Sequence, residues 1–327
     1  MKRILAIDGG GIRGTFPAAF LANLEKDLDQ PIGRYFDLIT GTSTGGIIAI
    51  GLALGLKAQT ILELYEQHGP AIFSQTRSGL LGWMDRRFRF AKWAVAGPKY
   101  STVALEQSLR GTLGDKRIGD CQTRLMIPSF HSQTQNVYIF KTAHHPRLGA
   151  DYKEFAVDAA LATAAAPTYF RQHITANDVG LVDGGIWANN PTGIAVVEAI
   201  GTLGWPADQL QVLSVGCLED VAHMEGAYGA VRFARKMAGF FMAGQSYGSL
   251  GIAHILTGDP HTRKAVYRVS QPVPKGFFSL DDTRKIRELK DRAFAEARIQ
   301  KPQLNSVFFR EPAESFHPYF ELQDSQP

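Results

Sequence analysis

Short apolar runs alternate with segments of helical periodicity along the first part of the chain. Residues 3–7 form a short run that is apolar except for Arg3 and is followed by Asp8, a pattern typical of a buried strand. After a run of glycines, apolar side chains recur every fourth residue and predict an amphipathic helix: Ile12, Phe16, Phe20, Leu24 and Leu28. A second apolar run leads into Gly41, and a third, residues 47–56, follows it. This order of strand, loop and helix predicts an α/β fold with a parallel or mostly parallel sheet and helices on both faces.

The remaining segments extend the same α/β pattern. Further strands are predicted over residues 124–130, 136–141, 179–182, 210–215 and 265–269, and helices over residues 58–68, 155–166, 192–203 and 281–298. Residues 232–256 form a long apolar segment that either lines a pocket or packs as a pair of core helices. The sequence has no internal repeat, low-complexity tract or linker. A single domain is therefore predicted over residues 1–327, with the helical segments of residues 229–300 completing it.

The composition is that of an ordinary soluble protein, with 45% hydrophobic and 20% charged residues. The net charge of +4 permits attraction to anionic surfaces but does not by itself indicate nucleic acid. Cys121 and Cys217 stand outside any Cys-x-x-Cys pattern, so we expect neither a disulfide framework nor a zinc site, and a cytoplasmic setting is natural. No signal peptide is recognisable, and the longest apolar run, residues 45–56, is too short to cross a bilayer.

Gly41-Thr42-Ser43-Thr44-Gly45 matches the pattern Gly-x-Ser-x-Gly between a predicted strand and a predicted helix. In that context the serine lies on a sharp turn with its hydroxyl exposed. The flanking Gly41 and Gly45 leave room for the strand and the helix to approach each other. The short pattern alone often marks only a tight turn, but its position between strand and helix favours Ser43 as a nucleophile.

The glycine loop after the first strand has two interpretations. Gly9-x-Gly11-x-x-Gly14 matches the dinucleotide-binding fingerprint, but that fingerprint expects an acidic residue at the end of the next strand, and here residues 40–43 read Thr-Gly-Thr-Ser. In the second interpretation, the backbone N–H groups of Gly9, Gly10 and Gly11 bind an anion at a helix N-terminus and form an oxyanion hole.

Arg13 follows the same loop. It either steadies the loop, favours an anionic substrate or is a solvated arginine in the first turn of a helix.

A nucleophilic serine needs a base, and histidine backed by a carboxylate is the usual one. Local patterns place none of the following near Ser43, and we expect them to be surface or structural residues: His68, His144, His145 and His173. Asp183 is the better candidate, because it ends a predicted strand and precedes Gly184 and Gly185. Reactive groups gather at the carboxyl ends of parallel strands, where Asp8 and Ser43 are also predicted to lie. Burial can raise the pKa of a carboxyl group enough for it to act as a base, so we predict a Ser–Asp dyad without an essential histidine.

Three motifs together resemble the patatin-like phospholipases. They are Asp8-Gly9-Gly10-Gly11-Ile12-Arg13-Gly14, Gly41-Thr42-Ser43-Thr44-Gly45 and Asp183-Gly184-Gly185 with Asn189-Asn190-Pro191 behind it, in that family's order within residues 8–191. The resemblance implies a three-layer α/β/α fold, a Ser43–Asp183 dyad, an oxyanion hole from Gly9, Gly10 and Gly11, and no metal or cofactor. Arg13, Gly41, Gly45, Gly184 and Gly185 take supporting roles. The implied reaction is hydrolysis of fatty acyl esters in glycerolipids through an acyl-enzyme.

Within that family, the compact length and residues 42–49 are similar to the phospholipase effectors of bacterial anti-phage (CBASS) systems. This similarity implies a cyclic dinucleotide activator, membrane phospholipids as substrate, and peripheral action on the inner face of the cytoplasmic membrane. Nucleic acid is not an expected partner, and homo-oligomer formation is left open.

Two segments are candidates for moving parts in such a switched enzyme. Residues 79–93 interleave aromatic and basic side chains, which suits a lid, a membrane-surface patch or a loop packed on the core, and residues 232–256 are the second candidate. The alternatives to a switched phospholipase are a constitutive lipase, a dinucleotide-binding oxidoreductase and a non-catalytic nucleotide sensor.

Overall fold

A computed structural model of the chain describes residues 1–73, 98–221, 230–258, 261, 263–274 and 276–322. The predicted lid or surface patch, residues 79–93, lies outside the described residues. The strands are β1 (Lys2–Ile7), β2 (Leu38–Gly41), β3 (Arg124–His131), β4 (Asn136–Lys141), β5 (His173–Ile174), β6 (Gly180–Asp183), β7 (Leu210–Val215), β8 (Glu219–Val221), β9 (Val266–Val269) and β10 (Pro272–Pro274).

The helices follow the strands along the chain. They are α1 (Thr15–Glu25), α2 (Thr44–Ala53), α3 (Ala58–Glu63), α4 (Gly69–Ile72), α5 (Val103–Leu113), α6 (Ala156–Thr163), α7 (Gly185–Ala188), α8 (Thr192–Gly201), α9 (Ala230–Thr257) and α10 (Ile286–Val307). A π-helical turn, Leu64–His68, joins α3 to α4.

Among the described residues, eight strands form one sheet in the order β5-β6-β3-β2-β1-β7-β9, with β4 also paired to β3. The pairs from β3 through β2, β1 and β7 to β9 are all parallel. Antiparallel pairing occurs only on one side of this sheet, where β4 and β6 pair with β3 and β5 pairs with β6. The predicted mostly parallel sheet is confirmed for this five-stranded centre.

Successive side chains of the central strands point to opposite faces of the sheet. Ile39 and Ile127 belong to the core on one face, which includes α1, α2 and α6. Leu38 and Met126 belong to the core on the other face, which includes α8 and α9. Because the strands are covered on both faces, their residues are almost all apolar, and the three-layer α/β/α fold is confirmed.

Two strands share one edge of β3 and meet end to end. One edge of β3 is occupied by β4, which pairs with Met126–His131. The other two partners of β3, β2 and β6, therefore lie one after the other along its second edge. β2 pairs in parallel with Arg124–Met126, and β6 pairs antiparallel with Ser129–His131. The carboxyl end of β2 therefore points at the carboxyl end of β6. Thr40 and Asp183 pair with positions three residues apart on β3, a distance of about 10 Å along the strand.

The first helix differs from the amphipathic helix predicted between Ile12 and Leu28. Ile12 lies in a 3-10 turn, Gly11–Gly14, and Leu28 lies beyond the end of α1. Most of α1 is buried, because α10 packs on the side that faces away from the sheet. The same packing buries Leu289, Ala293, Ala297 and Leu304 of α10. The helix predicted over residues 281–298 is therefore amphipathic, with its apolar side on α1 and its charged side turned away from it.

Residues 232–256 lie within one continuous helix, α9, so the prediction of a helix pair is wrong for the described residues. In the described part of the chain, no helix has the length and apolar character needed to cross a membrane. After the end of α10, Phe308 and Phe309 pack against Phe36, which lies between α1 and β2. These contacts between distant parts of the chain support the single-domain prediction, which stays a prediction.

Candidate active site

Ser43 lies at a sharp turn between β2 and α2. Its backbone has φ 56° and ψ −126°, in the left-handed region that residues with a side chain rarely adopt. A Cβ atom at Gly41 would lie 2.1 Å from the carbonyl oxygen of Gly45, and one at Gly45 would lie 2.4 Å from that of Ile7. The turn therefore requires glycine at both positions. The serine starts α2, where the backbone dipoles create positive potential, and this geometry is that of a nucleophile elbow.

Asp183 is the buried partner of Ser43. The N–H of Gly185 donates a hydrogen bond of 2.6 Å to Asp183 Oδ1. Burial raises the pKa of Asp183 to about 6, although the nearby Ser43 hydroxyl and the Gly185 N–H favour the charged form and lower it. A Cβ atom at Gly184 would lie 2.3 Å from the carbonyl oxygen of Pro128, so glycine lets the chain turn close to β3 immediately after the carboxylate.

The reason that Asp183 reaches Ser43 differs from the one used in the sequence analysis. The prediction relies on the carboxyl ends of parallel strands meeting at one edge of the sheet, but β6 runs antiparallel to β3. Asp183 arrives at the level of Ser43 because β6 runs back along β3 toward the end of β2. Pro128 lies in the interval of β3 between these two strands, where a residue without an N–H group is tolerated.

A hydrogen-bond chain through Thr163 fixes the backbone of the nucleophile. The N–H of Ser43 donates to Thr163 Oγ1 at 3.0 Å, and the Thr163 hydroxyl donates to the carbonyl oxygen of Pro128 at 2.6 Å. Two residues later, the carbonyl oxygen of Ala165 accepts the N–H of Asp183 at 3.1 Å. The end of α6 thus holds the backbones of both Ser43 and Asp183.

The three glycines of the predicted oxyanion hole have different hydrogen-bond partners. The N–H of Gly9 donates to the carbonyl oxygen of Asn189 at 2.9 Å, and that of Gly10 donates to Thr44 Oγ1 at 3.2 Å. Gly11 has φ 58°, and in the described part of the chain its N–H donates to no protein group. Of the three glycines, Gly11 therefore has the N–H group that is available to donate to an oxyanion. The oxyanion hole as a whole stays a prediction.

Asp8 supports the loop from behind. Its carboxylate makes two hydrogen bonds with the Arg268 guanidinium, of 3.0 Å and 2.6 Å. Burial raises the pKa of Asp8, and the Arg268 charge opposes that rise. Arg13 is buried, with 6% of its surface exposed, so the interpretation as a solvated arginine is wrong. A Cβ atom at Gly10 would lie 2.5 Å from Cys217 Sγ, which shows how closely the loop packs on the chain beneath it.

A cleft of about 470 Å³ opens in front of the dyad. Ser43, Asp183, Gly10 and Gly11 lie on its surface. The walls are otherwise mostly apolar and include Ile12, Ile47, Ile72, Phe73, Leu105 and Phe170. A concave site of this size, with few polar groups gathered at one place, is typical of a pocket for a small or chain-like apolar ligand.

Comparison with known proteins identifies the family. The family model described as patatin-like phospholipase matches residues 5–196, which is more than half of the chain and includes Ser43 and Asp183. The chain belongs to the patatin-like phospholipase family. The members of this family are hydrolases that act on ester bonds.

Three relatives of this patatin-like chain are each named cGAMP-activated phospholipase. The Vibrio cholerae protein is 35% identical over 66% of this chain and 64% of its own length. The Pseudomonas aeruginosa protein is 34% identical over 85% of this chain and 78% of its own length. The Escherichia coli protein is 38% identical over 60% of this chain and 55% of its own length. The match thus covers less than two thirds of two of these relatives.

None of the histidines considered as bases lines the cleft in this family member. His144 is buried and hydrogen-bonds Glu198 at 3.0 Å, and His173 hydrogen-bonds Asp158 at 2.9 Å. His68 is exposed. Among the described residues that line the cleft there is no histidine.

Two residues of the patatin-like site, Thr163 and Arg268, were missed from the sequence. Thr163 is a polar residue in an alanine-rich predicted helix, and Arg268 is a charge in a predicted strand. Each is therefore an exception to its local pattern, which is the signal that could have identified it. The family membership also favours the oxyanion-loop interpretation of residues 9–14 over the dinucleotide-binding one.

Proposed function

We propose that this chain is a lipid acyl hydrolase in which Ser43 and Asp183 act as a catalytic dyad. The observation that carries the proposal is that the Ser43 hydroxyl and the buried Asp183 carboxylate lie together at the surface of an apolar cleft, close enough for the hydroxyl to lower the pKa of the carboxyl group. A pKa of about 6 leaves Asp183 ionised at neutral pH and makes it a stronger base than an ordinary aspartate.

Acylation begins when Ser43 Oγ attacks the ester carbonyl carbon and its proton passes to Asp183. The carbonyl oxygen becomes an oxyanion, which accepts a hydrogen bond from the N–H of Gly11 at the entrance to α1. The tetrahedral intermediate collapses, the bond to the leaving alcohol breaks, and Asp183 returns the proton to that alcohol. The product of this half-reaction is an ester between the fatty acid and Ser43.

Deacylation repeats the sequence with water in place of the serine. Asp183 accepts a proton from a water molecule as its oxygen attacks the acyl carbon, and the proton then passes to Ser43 Oγ as the fatty acid leaves. A single carboxylate thus serves both half-reactions. A histidine relay is not needed, because the carboxylate lies beside the serine in the same cleft.

The substrate proposed is a membrane phospholipid, whose acyl chain fits a cleft with apolar walls. The relatives named cGAMP-activated phospholipase support the further proposal that a cyclic dinucleotide activates the enzyme. The similarity to bacterial anti-phage effectors extends this to a role in defence, with action on the inner face of the cytoplasmic membrane. Homo-oligomer formation belongs to the same proposal and stays untested.

Fatty-acid release from phospholipid vesicles tests the proposal. Wild type, Ser43→Ala and Asp183→Asn are each assayed with and without a panel of cyclic dinucleotides that includes cGAMP. We expect release by wild type only, with cGAMP increasing it. Ser306→Ala and Asp115→Asn make the same chemical changes at exposed positions and should behave as wild type.

The outcomes separate the candidate functions. Equal release with and without nucleotides would make the chain a constitutive lipase. Release by Ser43→Ala at the wild-type rate would overturn the dyad. Nucleotide binding without release from any lipid would make the chain a non-catalytic sensor. Labelling of Ser43 by a fluorophosphonate, and its loss in Asp183→Asn, gives an independent measure of serine activation.

A further inference from the structure

Helix α9 carries an exposed apolar face. Residues 237–257 contain no Asp, Glu, Lys or Arg, although much of the helix surface is open to solvent. Four apolar side chains lie within about 100° of one another around the helix axis and are exposed by 64%, 47%, 80% and 38%: Phe241, Ile252, Ile255 and Leu256. We call these four residues the α9 apolar face. Exposed apolar side chains that share one side of a helix mark an interaction surface more often than a solvated one.

The side of α9 next to this face is fixed to the protein through Asn190. Ser246 Oγ accepts a hydrogen bond from Asn190 Nδ2 at 3.0 Å, and the Ser249 hydroxyl donates to the Asn190 carbonyl oxygen at 2.8 Å. Gln245 exchanges two further hydrogen bonds with the Asn190 backbone. These bonds set the rotation of the helix, so the apolar face is held outward rather than turned toward the sheet.

The α9 apolar face begins at the opening of the cleft. Phe241 both belongs to the face and lines the cleft, and Ile186, which is 51% exposed, also lines the cleft. Ile252, Ile255 and Leu256 lie on the same side of the helix, about 16–23 Å further along it. The cleft opening and the three exposed apolar side chains near the end of α9 therefore lie on one side of the helix.

We propose that the α9 apolar face docks on the surface of a phospholipid bilayer and sets the cleft opening against the lipid. The inference rests on the proposed function, since it assumes that the cleft receives an acyl chain. A second copy of the chain seated on this face would cover Phe241 at the opening through which such a substrate enters. A bilayer instead covers the same surface while supplying the substrate, and the net charge of +4 favours an anionic membrane.

Vesicle binding by the double variant Ile252→Glu/Ile255→Glu tests the inference. Both positions lie on the face but do not line the cleft. The control is Val103→Glu/Ile299→Glu, which makes the same charge change at apolar side chains exposed by 56% and 72% on α5 and α10. All proteins carry Ser43→Ala, so that the vesicles stay intact, and cosedimentation is measured with vesicles of phosphatidylethanolamine and phosphatidylglycerol, with and without cGAMP.

We expect the face variant to bind vesicles at least tenfold more weakly and the control to bind as the parent does. Thermal unfolding and light scattering accompany the assay. With Ser43 restored, the face variant should hydrolyse a soluble short-chain ester at the wild-type rate but lose vesicle hydrolysis. Unchanged vesicle binding by the face variant would overturn the inference, and so would a change in molecular mass without a change in vesicle binding, which would assign the face to contact between copies.

These results are distinguishable from a failure of the proposed function. Binding is measured on a protein without the nucleophile, so it does not depend on hydrolysis. A wild type that binds vesicles through the face but cleaves neither soluble nor vesicle esters would contradict the dyad and leave the docking surface supported.

Discussion

Replacing Thr163 by valine should leave the overall fold in place but remove the hydrogen bonds that hold Ser43 in position. Valine has nearly the shape of threonine but neither accepts the N–H of Ser43 nor donates to the carbonyl oxygen of Pro128. Each buried polar group left without a partner costs about 1–3 kcal/mol. Because Ser43 is only half-buried, we expect a loss of about 2–4 kcal/mol in the free energy of unfolding.

The effect on catalysis should exceed what the stability loss explains. Ser43 has φ 56°, a conformation that costs about 1–3 kcal/mol and needs its surroundings to hold it. Without the Thr163 bond the turn can relax, and a displacement near 1 Å costs about 100-fold in rate. We therefore expect kcat for a soluble ester to fall about 100-fold with little change in KM, since the cleft walls stay in place.

Thr163→Ser is the matched control. It keeps both hydrogen bonds and removes only the methyl group, which packs against Gly46, so stability should fall by about 1 kcal/mol while kcat stays close to the wild-type value. Steady-state kinetics at a temperature where all three proteins are folded, together with fluorophosphonate labelling rates, measure the difference. Equal kcat values for the valine and serine variants would refute the positioning role.

Three further predictions concern the groups around the dyad. Below the Asp183 pKa of about 6, kcat/KM should fall about tenfold per pH unit, because a protonated carboxyl cannot accept the Ser43 proton. A flat pH–rate profile between pH 5 and 8 would contradict this. Gly10→Ala should cost about 1–3 kcal/mol through the clash with Cys217, as measured by thermal unfolding, and adding Cys217→Gly should restore stability. Arg268→Met should lower the free energy of unfolding, measured with denaturant, by about 3–5 kcal/mol, because it leaves the Asp8 carboxylate buried without its partner. Adding Asp8→Asn should recover part of that loss. A cost below about 1 kcal/mol would exclude the ion pair as a support of the loop.

The hydrophobic pattern was sufficient to predict those strands and helices whose ends coincide with a change from apolar to polar residues. Residues 210–215 form β7 as predicted, and the alanine-rich segment before Pro167 forms α6, since burial on both faces of the sheet requires apolar strands and closely packed helices. For residues 232–256, pattern left two alternatives, a pocket lining or a pair of core helices; the segment is one helix, α9, and its Phe241 and Met242 line the cleft. The helix leaves part of its apolar surface exposed, and exposure depends on neighbours that are distant in sequence.

The sequence by itself determined the chemical groups of the site and their local geometry. A serine between Gly41 and Gly45 at a strand–helix junction has few backbone conformations available, so the elbow follows from neighbouring residues. What only the tertiary structure decided is the contact between groups far apart in the chain. Asp183 reaches Ser43 because β6 runs antiparallel along the edge of β3 that β2 leaves free, and Thr163 joins them because α6 ends beside Pro128. Strand order and direction depend on the packing of the whole sheet, which no local pattern of side chains encodes.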